Sequence, residues 1–339
     1  MYKDIPFFKV NKNKYLAKKK VLIIAEIGSN HNNDYNLALR SIDAAVNAKC
    51  DAVKFQLFRA DKIIQRKSPG WKILKKLELN ESWIPKLKRY CRNKRILFSI
   101  SVFDLNGLNV VNKYGIDFYK IASPELEDLP LINAISKLKK PTIISTGAAN
   151  LSSISQSVEV FRKNFNNNFA LLHCISNYPT SSNELNLDMI KSLQQSFGVP
   201  VGFSDHSKNI YSSIIATANG ACIIEKHITL NKKLNGPDHH FALEPLELKA
   251  MVEGIRVSEK AFKNFIKQPV SFKESLFSRK IVSNKNLKKN HRITLKDLIT
   301  KRVKKPHGIK TFDIKKIIGL RLSKSIKKDD ELNWNSFKK

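Results

Sequence analysis

Short apolar, β-prone runs recur along most of the chain, and each stops abruptly at polar or ionisable residues. The first, Val21–Gly28, carries Glu26 near its end, and the second, Asp51–Gln56, carries Lys54 and Gln56. Ile96–Phe103, Phe118–Ser123 with Lys120, Pro141–Gly147, Phe169–Cys174, Val199–Ser204 and Cys222–His227 repeat the theme. Helical periodicity fills the gaps, as in Leu37–Ala48, 152–163, 186–196 and 209–219, and Pro245–Asn264 closes the series. Eight strands alternating with helices predict a (β/α)8 TIM barrel rather than an open doubly wound sheet. Ser29–Asp34 reads as a polar turn and residues 59–71 as a basic loop.

Beyond this series the texture changes. Residues 1–265 are assigned to the barrel, 266–277 to a linker and 278–339 to a separate β-rich module. The module's short β runs are expected at Lys280–Ser283, Ile293–Thr294, Leu298–Arg302, Ile317–Gly319 and around Ile326. At roughly 60 residues it lies near the lower limit for a stable core, so it is expected to dock on its own barrel or on a partner chain.

The chain has 339 residues and a formal net charge of +32, which suits either polyanion binding or attraction of small anionic substrates. The Lys and Arg residues are scattered, with no basic block interleaved with aromatics, and this argues against nucleic acid as a partner. Cys50, Cys91, Cys174 and Cys222 form no CxxC pair and read as reduced, buried thiols. Residues 1–20 are too polar for a signal peptide, and no apolar run approaches the ~18 residues of a membrane span, so a cytoplasmic enzyme without membrane association is expected. No GxGxxG or Walker pattern occurs, which argues against dinucleotide or ATP cradling.

An ionisable residue inside an apolar strand is costly unless paired or functional, and this singles out Glu26, Lys54 and Lys120. In a parallel α/β protein the carboxyl ends of the strands open onto a shared crevice. His206 and His227 fall at or just past two such ends, and imidazoles beside carboxylates could hold a transition metal. Lys54 and Lys120, with the hydroxyls of Ser123, Ser145, Ser176 and Ser204, suit a phosphate. Glu26 and Asp238 add metal-binding or acid–base groups near it. A lone histidine is more often a hydrogen-bonded core residue, and most lysines of this chain are solvated amines. The repeated placement at strand ends sets these apart.

Taken together, these segments resemble the sialic acid synthases, which make N-acetylneuraminate and related nonulosonic acids. The resemblance is carried by Ala25-Glu26-Ile27-Gly28-Ser29-Asn30-His31-Asn32, Asp51-Ala52-Val53-Lys54-Phe55-Gln56, Lys120-Ile121-Ala122-Ser123 and Ile144-Ser145-Thr146-Gly147. It continues through Leu172-His173-Cys174, Tyr178-Pro179-Thr180, Gly202-Phe203-Ser204-Asp205-His206, Ile224-Glu225-Lys226-His227 and Gly236-Pro237-Asp238-His239. The C-terminal module resembles the family's antifreeze-like (SAF) domain.

The resemblance implies condensation of phosphoenolpyruvate with an N-acetylated hexosamine, releasing phosphate. N-acetylmannosamine is the first expected acceptor, and a 2,4-diacetamido-trideoxyhexose, giving legionaminic or pseudaminic acid, the second. It implies a divalent ion, commonly Mn2+ with Mg2+ or Co2+ as alternatives, held by His206 and His227, and a catalytic role for Glu26. It places Lys54, Lys120, Ser123, Ser145 and Ser204 around phosphoenolpyruvate, with Ser176 where some members carry a substrate-binding asparagine. Gln56, Tyr178 and Asp238 match positions around the sugar. It also implies a domain-swapped homodimer in which an arginine, matching Arg302, reaches the N-acetyl group.

This sequence departs from the family at Ile100-Ser101-Val102-Phe103-Asp104, in a shorter 59–71 loop and in the altered segment Val303–Gly308 after Arg302. These changes bear on sugar recognition more than on the metal or phosphate groups. A polyanion-binding protein on a retained barrel is a competing reading supported by charge alone. A synthase making a shorter keto-deoxy acid is another, and the C-terminal module counts against it.

Overall fold

The computed structural model describes residues 6–262, 271, 273, 277–303 and 308–338. The linker expected at 266–277 lies mostly outside these residues. The chain divides into two compact units, Met1–Lys263 and Asn264–Lys339.

The first unit opens with an antiparallel hairpin of β1 (Phe8–Val10) and β2 (Asn13–Tyr15). Eight parallel strands follow: β3 (Leu22–Gly28), β4 (Ala52–Leu57), β5 (Leu97–Val102), β6 (Phe118–Ile121), β7 (Thr142–Ser145), β8 (Phe169–Cys174), β9 (Val201–Asp205) and β10 (Ile223–His227). Each pairs with the next, and β10 pairs back onto β3, closing the barrel. The strand boundaries expected from the apolar runs hold to within about two residues. Helices occupy the gaps, including Tyr35–Asn47, Leu151–Lys163, Met189–Phe197, Tyr211–Ala218 and Pro245–Ala261. Several begin at an Asx cap that follows a strand: the side chains of Asp34, Asp104, Asp128 and Asn150 accept from the first free helical N–H groups.

Period-two alternation places one set of side chains inside the barrel and the other against the helices. Ile23, Ala25 and Ile27 pack in the layer beneath the helices, whereas Leu22 and Ile24 belong to the interior cluster with Ala52, Phe118, Ile143, Ala170, Leu172 and Ile223. Followed toward the carboxyl ends, the same interior rows become ionisable: Ile24 gives way to Glu26, Ala52 to Lys54, Phe118 to Lys120, and Ile223 to Glu225 and His227. The interior is therefore apolar at one end and charged at the other.

The polar stretch before β3 forms the β1–β2 hairpin. Phe8, Val10 and Tyr15 are buried in the interior cluster, with Phe8 edge-on to Phe118 at 6.4 Å. The hairpin plugs the apolar end of the barrel. The 59–71 segment is likewise not all loop: it contains a one-turn helix, Ala60–Ile63, and Trp71 begins another, Trp71–Lys76.

In the second unit β11 (Arg279–Ser283) pairs antiparallel with β12 (Leu298–Arg302). Around them Ile281, Leu287, Ile293, Ile309, Leu322 and Leu332 form a small core. Isolated bridges such as Leu287↔Ile326 supply the remaining β character. Ile317–Gly319 is not a β run: Ile317 ends a one-turn helix, Ile314–Ile317, and Gly319 at φ +87° turns the chain away. Among the described residues no helix is long and apolar enough to cross a membrane.

Candidate functional site

The ionisable end of the barrel holds a compact group of four charges. Lys54 Nζ lies 2.9 Å from Glu26 Oε2 and 3.6 Å from Glu225 Oε1, and Lys120 Nζ lies 3.3 Å from the same Glu225 oxygen. All four side chains are essentially withdrawn from solvent. Lys54 also donates to Ser101 Oγ at 2.8 Å, Gln56 Nε2 donates to Glu26 Oε1 at 2.7 Å, and Ser204 Oγ donates to Glu225 Oε1 at 3.2 Å. Burying charges costs free energy that only pairing recovers, and here two amines offset two acids.

Glu26 is placed by a distortion of its strand. The β3–β4 register shifts between Glu26 and Gly28, and Gly28 adopts φ +54°. A Cβ at Gly28 would meet Glu26 Oε1 at 3.0 Å and Gln56 Nε2 at 3.3 Å, so only glycine lets the carboxylate sit there undisturbed.

The two acids differ in proton affinity. Burial, partly offset by the Lys54 ammonium, raises Glu26 to about 7. For Glu225 burial acts the same way, but Lys120 and Lys54 outweigh it and hold the carboxyl down at about 2. Lys120 is lowered by burial, whereas Glu225 and Glu26 raise Lys54 in spite of it. Near neutral pH the group carries two amines, one firm carboxylate and one carboxyl close to its midpoint. That leaves it ready to accept an anion.

His206 and His227 stand beside this group with ring centroids 5.6 Å apart. His206 Nδ1 lies 2.7 Å from the Ile175 carbonyl, which can only accept, so the proton sits on Nδ1 and Nε2 is left as an acceptor, with Ser204 Oγ 3.4 Å away. Burial lowers both imidazoles to about 4, so both are neutral at pH 7. His227 Nδ1 is buried without a hydrogen-bond partner, its nearest carboxylate oxygen being Asp238 Oδ2 at 3.6 Å. Two neutral imidazoles, one with an orphaned ring nitrogen, fit a divalent transition ion. Among the described residues no group of three His, Cys, Asp or Glu side chains is disposed as a metal site, so such an ion would draw its other ligands from elsewhere.

Around the histidines the Tyr178 ring lies 4.2 Å from His206, and Phe241 packs on both Tyr178 and His227. Asp238 also meets Ser29 Oγ at 3.4 Å. A second polar pocket is made by Ser123, Cys174 and Gly147: the Gly147 N–H points at Ser123 Oγ at 3.0 Å and at Cys174 Sγ at 3.1 Å. A Cβ on Gly147 would run into Ser176 Oγ at 2.5 Å, which brings Ser176 into the same cradle. Ser145 ends β7 beside it, buried.

The barrel thus brings Glu26, Lys54, Gln56, Lys120, Ser123, Ser145, Ser176, Tyr178, Ser204, His206, His227 and Asp238 to one end. Arg302 ends β12 in the second unit, its guanidinium 5.1 Å from the Phe277 ring. Residues 304–307 of the altered segment after it lie outside the described residues.

The sequence reading missed Glu225, Glu125, Ser101 and Phe241 as members of the site. Period-two alternation could have found Glu225, which lies two residues before His227 on the same strand face. Glu125 has an unpartnered Oε2 and is raised to about 7 by burial. All four cysteines are free and buried, as expected, although Cys174 lies at the site. A surface hollow lined by Pro6, Phe7, Asn168 and Pro200 lies at the opposite, hairpin end and holds none of this chemistry.

Comparison with known proteins gives concordant matches. Residues 41–267 match the NeuB family and residues 279–338 the SAF domain. The chain is 37% identical over 331 residues to the N,N'-diacetyllegionaminic acid synthase of Campylobacter jejuni, covering 92% of this chain and 98% of that protein. It is 30% identical over 328 residues to the human N-acetylneuraminate-9-phosphate synthase, covering 91% and 90%. Among solved structures, the N-acetylneuraminic acid synthetase of Leptospira borgpetersenii in complex with citrate aligns with a TM-score of 0.75 and 34% identity, covering 79% of this chain and 93% of that one.

Proposed function

Because the chain belongs to the NeuB family of nonulosonic acid synthases, we propose that it condenses phosphoenolpyruvate with the open-chain aldehyde of an N-acetylated amino sugar, releasing inorganic phosphate. The observation that carries this reading is the buried Glu26–Lys54–Glu225–Lys120 group set beside two neutral imidazoles. Lys54 and Lys120 bind the phosphate and carboxylate of phosphoenolpyruvate, with Ser123, Ser145, Ser176 and Ser204 completing the contacts. His206 and His227 hold a divalent ion, Mn2+ as first choice, which supplies Lewis-acid polarisation of the aldehyde oxygen.

In the reaction C3 of phosphoenolpyruvate forms a bond to the aldehyde carbon, whose oxygen takes up a proton. Water then adds at C2, losing one proton, and the tetrahedral intermediate collapses: its C2 hydroxyl gives up the second proton to become the keto group as the C2–O bond to phosphate breaks. Cationic character develops at C2 between these events. The Glu26 carboxylate faces the lysines that bind phosphoenolpyruvate, so it can stabilise that charge and exchange protons near pH 7. Gln56, Tyr178 and Asp238 orient the sugar.

For the acceptor we favour a 2,4-diacetamido-trideoxyhexose, supported by the 37% identity to the legionaminic acid synthase against 30% to the human enzyme. N-acetylmannosamine, the first expectation from sequence, is the second reading, supported by the Leptospira synthetase. The same family reading carries the proposal of a cytoplasmic, domain-swapped homodimer in which Arg302 serves the acetamido group.

The test is phosphate release from phosphoenolpyruvate with each sugar, with Mn2+ and with a chelator. Metal-dependent release is expected with both sugars, and faster with the diacetamido sugar. Faster release with N-acetylmannosamine would reverse the order of acceptors. Release with neither would sink the proposed reaction.

A further inference from the structure

Directly behind the two histidines lies a charged group that the proposed chemistry does not use. Asp205 and Lys226 face each other in register across β9 and β10, on the faces opposite Ser204 and Glu225. Lys226 Nζ is 3.0 Å from Asp205 Oδ2, and the two side chains are 1% and 0% exposed. The same ammonium donates to the carbonyls of Ser207 at 2.5 Å and Asn209 at 3.1 Å, and reaches Ser207 Oγ at 3.2 Å. Asp205 in turn accepts from the Ser207 N–H at 2.8 Å and from Ser213 Oγ at 2.7 Å.

Strand pairing does not require this group. β9 and β10 are already joined by their backbone ladder, and a well-packed apolar pair would hold two strands at least as firmly as a buried ion pair. What an apolar pair could not do is satisfy and fix the polar main chain of residues 207–209. The acceptors taken by Lys226 and the N–H taken by Asp205 all belong to Ser207 and Asn209, directly after His206, while Asp205 itself directly precedes it. The His206 carbonyl accepts from the Thr180 N–H at 3.1 Å, and the His206 ring is oriented by the Ile175 carbonyl at 2.7 Å. The main chain of His206 is thereby fixed from the helix side of the barrel, and its ring from the mouth side.

We propose that Lys226, acting through Asp205 and the 207–209 turn, is the positioning residue that sets the His206 imidazole against His227 and so tunes affinity for a divalent cation. The inference rests on the metal reading given above. Neither residue touches substrate. Groups that orient metal ligands from behind typically contribute about 10- to 100-fold to metal affinity.

The experiment measures Mn2+ binding to the full-length, metal-free protein by calorimetry and by electron paramagnetic resonance, with phosphoenolpyruvate binding measured separately. The charge-neutral double variant Lys226→Met/Asp205→Asn is expected to fold, to bind Mn2+ about 10- to 100-fold more weakly and to broaden the bound-ion spectrum. Its affinity for phosphoenolpyruvate without metal is expected to stay within about threefold of the parent, since hydrogen bonds that it does not remove hold that site. Lys226→Arg, which keeps the charge, should recover part of the Mn2+ affinity.

Should the double variant fail to fold, Ser207→Ala/Ser213→Ala keeps the ion pair but strips two of its hydroxyls, and about fivefold weaker Mn2+ binding is expected. A folded variant that binds Mn2+ as tightly as the parent overturns the inference. So does equal weakening toward Mn2+ and phosphoenolpyruvate, which would mark a general loss of structure. A parent protein that binds Mn2+ no better than its His227→Ala variant removes the metal reading itself, a result distinct from either.

Discussion

Burial raises the Glu26 carboxyl to about 7, whereas Glu225, which shares Lys54 with it, is held near 2 by two ammonium groups. Two carboxyls a few ångströms apart are thereby given different work: Glu225 stays ionised and fixes the lysines, and Glu26 can change state during turnover. If ionised Glu26 stabilises the cationic C2, kcat/KM should fall about tenfold per pH unit below about 7, and Glu26→Gln should flatten that limb along with lowering the rate. A pH–rate profile of the two proteins checks this. Stability responds in the opposite sense at the same residue. The folded value of Glu26 lies above the ordinary 4.5, so the native state takes its proton first and gains stability as pH falls from 7 to 4.5. His31, His206 and His227, lowered by burial from 6.5 to about 4, lose stability as pH falls through that window, because the unfolded chain protonates first. The raised acids Glu26 and Glu125 act against these imidazoles, so the comparison between variants carries the prediction: in thermal melts of the metal-free protein at about pH 7.5 and about pH 5, His206→Gln/His227→Gln should lose less stability on acidification than the parent.

The barrel's two ends make different demands on its elements. The interior rows are apolar at the amino-terminal end, where the β1–β2 hairpin covers them with Phe8, Val10 and Tyr15. Phe8→Ala removes a fully buried ring from that plug and should cost about 3–5 kcal/mol, read by denaturant unfolding, while the KM values stay near those of the parent because the reacting groups lie at the other end. The same division explains what the sequence discloses. Strands such as Phe169–Cys174 are legible because buried parallel strands read as uninterrupted apolar runs. Glu26, Lys54 and Lys120 are legible because a charge inside such a run needs a reason. The hairpin is not legible: its few apolar residues lie among lysines, and what they cover is formed by strands distant in sequence. Four-residue helices such as Ala60–Ile63 are too short to show a period. Of the consecutive ionisable residues Glu225, Lys226 and His227, the strand-end pattern marks the histidine, and alternation puts Glu225 on the same face without naming its partners. The strand's alternation assigns Glu225 to the lysines inside and Lys226 to Asp205 outside, and both assignments depend on side chains from other strands.

A formal net charge of +32 gives the whole molecule a field that favours an anionic substrate such as phosphoenolpyruvate, but it does not choose the sugar. That choice falls to groups around the mouth and, in the proposed dimer, to Arg302. The second unit is small, with an apolar core of its own, and it exposes Phe312 and Trp334. Surface of that kind gains from being covered in an assembly. Arg302→Ala should raise the KM for the amino sugar more than that for phosphoenolpyruvate, since an acetamido contact involves only the former. Mixing tests where the arginine acts. When the His227→Ala and Arg302→Ala chains are denatured and refolded together, half of the dimers should be mixed. If Arg302 serves the partner's barrel, each mixed dimer contains one intact barrel facing one intact arginine, and about a quarter of the parental activity returns. If Arg302 serves its own barrel, every site in the mixture lacks one of the two residues, and activity stays at the level of the separate variants.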